Sequence, residues 1–148
     1  MNLYSLLLHF HSIFRYVALI ALVAAVLITG FGYYNKKKYG STGRKCAIIS
    51  LGSFHTQVIV GFLLYWLSPK VMFSKAMFKV EILRFFTLEH GLAMIIAAIL
   101  ITIGYSKAKK SSADIGNKHI FIFYLLALVV VLWAIPWPYR HMLAGAWF

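Results

Sequence analysis

A few side chains able to bind metal or move protons fall inside otherwise apolar stretches of this chain: His11, Arg15, His55, Glu89 and His90. The chain has three acidic residues in all, and one stands beside His90 at the head of the apolar run from Gly91 to Tyr105. Ionisable groups at membrane depth are costly and mark functional sites by default. His11 and Arg15 are four apart and share one helix face, which continues through Ala18, Leu22, Ala25 and Thr29. His90 shares its face with Thr87, Met94, Ala97, Ala98 and Ile101. Small residues let helices approach closely; equally, they leave room for a flat cofactor.

Two neutral imidazoles from facing helices are the ligand set of haem b. Each ring gives one nitrogen to iron while the other donates outward to a carbonyl or carboxylate. His11 and His90 are the expected ligands, and Arg15 can neutralise a propionate through paired hydrogen bonds. Glu89 points to a different face from His90 and is expected to carry protons or to pair with Arg15 or Lys79. His55 is the alternative ligand or a proton handler; its plainer reading is a hydrogen bond to a nearby Ser, Thr or backbone carbonyl. His9 is expected at the interface, and His119 and His141 at opposite membrane surfaces. Met72, Met77 and Met94 read as packing.

The elements that must position these residues follow from composition. The 148 residues are 62% hydrophobic and 12% charged, with a mean hydropathy of +0.83. So much apolar surface marks an integral membrane protein with one domain's worth of chain. Spans are expected over about 3–34, 46–67, 85–105 and 120–137, giving an all-α, up-down four-helix bundle. Met1 to Leu8 lacks a basic region and a cleavage site, so it reads as part of a retained first span. Ser68-Pro69 resembles the start of a new helix. Met72, Phe73, Ala76, Met77, Val80 and Leu83 recur at helical spacing with Lys75, Lys79 and Arg84 between them. That pattern fits an amphipathic interfacial helix or a prolongation of span three.

The net charge of +12 sits between the spans, so it reports topology and not nucleic-acid binding. One side carries Lys36, Lys37, Lys38, Arg44, Lys45, Lys107, Lys109, Lys110 and Lys118; the other carries Lys70, Lys75, Lys79, Arg84 and Arg140. Positive-inside reasoning places both termini outside the cytoplasmic membrane. Cys46 alone excludes a disulfide framework, a Cys-only metal site and covalent haem attachment. A di-iron bundle needs more carboxylates, and no zinc-protease helix, phosphate loop or G-x-S-x-G element occurs. Membrane oxidoreductase is the enzyme class left open.

One difficulty is geometric. Counted from the inner span ends, His11 stands about six residues, or ~9 Å, further out than His90, which tilt of a long first span can reduce.

The pattern His11-Ser12-Ile13-Phe14-Arg15-Tyr16, with His55-Thr56-Gln57, Glu89-His90 and Ile135-Pro136-Trp137-Pro138, resembles short bacterial four-span proteins labelled cytochrome b. The resemblance covers nearly the whole chain. It implies non-covalent haem and a redox role in the cytoplasmic membrane with quinone, as in four-helix cytochrome b561-like proteins. A redox partner subunit or further copies of the chain are the other partners to expect beside the bilayer. Two other classes stand against this: a haem-free subunit or proton relay built on His11, Arg15, Glu89 and His90, and a purely structural accessory chain.

Overall fold

The computed structural model describes residues 2–143, without the side chains of Ala76 and His141, so the expectation for His141 lies outside the described residues. It contains four long helices: α1 (Leu3–Tyr34), α2 (Ser41–Leu67), α3 (Glu81–Lys110) and α4 (Ala113–Ala134). Each is long and apolar enough to cross a membrane, and no strand occurs among the described residues. The chain is a membrane-class helical bundle, as its composition requires.

Local chemistry sets the helix ends. Asn2 Oδ1 accepts the Ser5 amide at 2.8 Å and caps α1. After Tyr34 the chain turns through a left-handed Lys36 (φ 52°), and the Lys37 amide returns to the Gly32 carbonyl at 2.8 Å, closing the helix in a Schellman-type turn. Three helices outrun the apolar spans read from the sequence. α2 begins at Ser41, not Cys46; α3 continues past Tyr105 to Lys110; α4 begins at Ala113, not at 120. Hydropathy marks the hydrocarbon layer only, whereas backbone bonding continues through the lysine-bearing turns. Lys107, Lys109 and Lys110 in the last turn of α3 also suit the negative end of its dipole.

The helices form a ring. α1 packs on α2 and α4, while α3 packs on α4 and, more thinly, on α2. α1 and α3 are thus parallel and diagonal. Leu22, Ala25, Ala97, Ile101 and Ala127 fill the centre around a fully buried Tyr124, whose hydroxyl donates to the Ala47 carbonyl at 2.9 Å. A Cβ on Gly104 would lie 2.6 Å from the Phe123 Cβ, so this glycine lets α4 approach α3. Ile20, Leu27, Phe62 and Trp66 are each more than 60% exposed and form the surface that faces lipid.

The link from Ser68 to Val80 is not an amphipathic α-helix. Ser68 caps the end of α2, its hydroxyl accepts the Lys70 amide at 3.2 Å, and the one helical piece before Val80 is a 3-10 turn, Lys75–Phe78. The remainder, Glu81–Arg84, prolongs α3. A short isolated helix is marginal, and here tertiary bonds hold the strap instead. The Met72 amide donates to Thr87 Oγ1 at 3.0 Å, and the Phe73 ring lies 5.9 Å from that of Tyr65.

Candidate functional site

α3 does not start as a regular helix. Phe85–Glu89 is a π turn, and the His90 amide bonds to the Phe85 carbonyl five residues back. That winding decides the fate of Glu89. Residues five apart align on a π turn, and Arg84 Nε meets Glu89 Oε1 at 2.7 Å. The expected pairing of Glu89 with Arg15 or Lys79 is therefore corrected: α-helical spacing could not reveal Arg84 as its partner. Buried Thr87 anchors the turn, its carbonyl accepting the Tyr65 hydroxyl at 2.7 Å.

His90 is fixed from the opposite side by the end of α4. Helices leave their last carbonyls without intrahelical partners, and here two prolines enforce it. Pro136 has no N–H for the Leu132 carbonyl, and Pro138 none for that of Ala134. Side chains take over: Trp137 Nε1 donates to Leu132 O at 2.9 Å and Arg140 Nη1 to Trp133 O at 3.2 Å. His90 Nδ1 donates to Ala134 O at 2.8 Å. A carbonyl only accepts, so Nδ1 carries the proton and Nε2 the lone pair. The outward hydrogen bond expected of a ligating histidine is present.

His11 faces His90 across the bundle, with ring centroids 6.5 Å apart and planes at 74°. The offset expected from the sequence is smaller when counted from the helix ends, since α3 runs on to Lys110. Twenty-three positions separate His11 from Tyr34 and twenty separate His90 from Lys110. The difference of three is ~4.5 Å of helical rise. His11 rests on Gly61 of α2, where a Cβ would come 3.1 Å from its Cε1. Gln57 Nε2 donates to the His11 backbone carbonyl at 2.8 Å, tying α1 to α2 at this level. His11 Nδ1 is buried and makes no hydrogen bond.

Both imidazoles line a cavity of about 520 Å³ whose walls are largely apolar, including Leu19, Leu22, Phe54 and Met94. Its charged lining is wholly basic: Arg15 and Lys70 contribute, and no Asp or Glu does among the described residues. Arg15 Nη2 donates to the Tyr16 hydroxyl at 3.1 Å and its guanidinium lies 4.8 Å from that ring. The Phe85 and Phe86 rings stand 5.7 and 6.2 Å from His90. His9 is exposed at the rim. No group of three His, Cys, Asp or Glu converges among the described residues.

The structure brings His11, Arg15 and His90 together and leaves Glu89 and His55 outside the cavity lining. His55 takes its plainer reading, with Nδ1 donating to Leu51 O at 2.8 Å and Nε2 3.2 Å from Thr102 Oγ1. It sits in a separate groove between α2 and α3. Sequence reasoning missed Lys70, Gly61 and the Ala134 carbonyl. For the last, the Pro-x-Pro spacing was a usable signal; for the first two none existed. Compared with known proteins, the chain matches no family model, no curated protein and no solved structure.

Proposed function

We propose that this chain is a b-type haem protein that passes electrons near the outer face of the cytoplasmic membrane, with His11 and His90 as the ligands. The observation that carries this is the pair of inward-facing imidazoles 6.5 Å apart in one cavity. A metal–imidazole bond of about 2 Å on each side, with about 1 Å from nitrogen to ring centre, calls for about 6 Å between centroids. Rotation of one ring about that shared axis leaves both bonds unchanged, so the 74° angle fits as well. Haem held there would supply a one-electron redox couple. His90 would present Nε2, its orientation and basicity set by the Ala134 carbonyl. Arg15 places a positive charge in the cavity for the acidic groups of the ligand.

The nine basic residues at one end of the bundle against five at the other support an orientation with the histidines outside. A single haem near one face cannot move charge across the bilayer, so lipid-soluble quinone or a partner subunit would complete the circuit.

The test is a visible spectrum of protein purified from haem-replete cells. A Soret band that shifts on dithionite reduction is expected. His90→Ala and His11→Ala should each abolish the bis-imidazole spectrum, while His55→Ala should leave it intact. A colourless wild-type preparation would refute the proposal.

A second reading, a haem-free proton relay, is favoured by one observation: His11 Nδ1 and Gln57 Oε1 are buried polar atoms without hydrogen bonds, a pattern that internal water satisfies. Colourless protein with proton uptake sensitive to Gln57→Leu would select it.

A further inference from the structure

We propose that Lys70 forms, on the loop side of the His11–His90 cavity, a subsite for the carboxylate end of an amphipathic ligand. On the haem reading, on which this rests, that carboxylate is a propionate. Three features of the cavity lead there. Its walls are apolar but its charged lining is entirely cationic among the described residues, so its occupant should be an apolar body with an anionic end. Lys70 is half-buried and its Nζ lies 4.9 Å from the centre of the Phe86 ring, which in turn stands 6.2 Å from that of His90. The ammonium is thus one aromatic ring away from the ligating imidazole. Its backbone is fixed by the bond to Ser68 Oγ, so the side chain leaves the end of α2 from a defined point.

The charge of Lys70 is poorly compensated. Burial holds its ammonium below the usual lysine range, and among the described residues its side chain meets the Phe86 ring. A carboxylate arriving beside it would favour the protonated form. Arg15 is less suited to this first contact. It stands a turn deeper along α1 than His11, about 6 Å, and already engages Tyr16. A carboxylate at the Lys70 level keeps more of its hydration than one at the depth of Arg15. One carboxylate of the ligand therefore faces the connecting strap.

The experiment compares haem with haem dimethyl ester, in which both propionates are blocked, by titration into detergent-purified full-length protein. Wild type should bind the free acid about tenfold more tightly than the diester. Lys70→Met should reduce that preference to about twofold with the Soret position unchanged, and Lys70→Arg should keep it. Equal preference in wild type and Lys70→Met would overturn the subsite. So would a co-purified anionic phospholipid, lost on Lys70→Met, that haem does not displace. Absence of any Soret band in wild type would defeat the haem reading instead. The subsite is then read with cis-parinaric acid against its methyl ester: an acid preference that vanishes in Lys70→Met supports it, and equal binding of acid and ester in wild type overturns it.

Discussion

The His11 imidazole is held between Gly61 and His90, and the space at Gly61 decides how far it can retreat. A methyl group there would meet Cε1 at 3.1 Å, close enough to push the ring by a few tenths of an ångström. Ligand geometry tolerates little displacement. Gly61→Ala should therefore weaken haem binding about tenfold, and Gly61→Leu should abolish it while helicity persists. Titration with haem and far-UV circular dichroism check both; unchanged affinity in Gly61→Leu would place the ligand elsewhere. At this scale the sequence disclosed much. Helical-face spacing found His11, Arg15 and His90, because residues four apart on one helix are neighbours whatever surrounds them. Gly61 and Lys70 act across helices, which spacing along one helix does not report. Glu89 was paired wrongly for a related reason: its partner depends on a local change of winding.

At the scale of elements, the end of α4 and the start of α3 make one unit. Three terminal carbonyls of α4 are taken by Trp137, Arg140 and His90, and the prolines remove the competing backbone amide for two of them, Leu132 and Ala134. Pro136→Ala combined with Pro138→Ala should let α4 run on and give the Ala134 carbonyl an amide partner in place of His90. Loss of a hydrogen bond that orients a ligand typically costs ~10–100-fold in affinity. The expected outcome is slightly higher helicity with haem affinity reduced by about that factor. Unchanged affinity would show that Ala134 is dispensable. The aromatic and proline residues here were legible as a helix stop. The Pro-x-Pro spacing also signals an open carbonyl at Ala134, but not the partner that takes it, which lies 44 positions away.

At the scale of the molecule, the ring of four helices followed from hydropathy, length and short connections, and its diagonal pairing from the up-down order. Of the two readings open for the strap between α2 and α3, prolongation of the span holds only over Glu81–Arg84; the apolar periodicity before it is real, but the Met72 amide turns to Thr87 instead of to an α-helical carbonyl. Orientation rests on charge and can be tested directly. In a Cys46→Ser background, Ser74→Cys should react with a membrane-impermeant maleimide in intact cells. Ser112→Cys should react only after permeabilisation. The reverse pattern would turn the bundle over and place the histidines inside.

The π turn separates the durability of the scaffold from that of its chemistry. It holds one residue more than ordinary winding needs, so removal of Leu88 would let the backbone revert to a plain α-helix without rotating the lysine-bearing end of α3 against its neighbours. The register of Arg84, Phe85 and Thr87 relative to His90 would be lost. A deletant that inserts and resists detergent like its parent, yet stays colourless, is the expected phenotype. If it retained the parental spectrum, the extra residue would have no part in holding the imidazole.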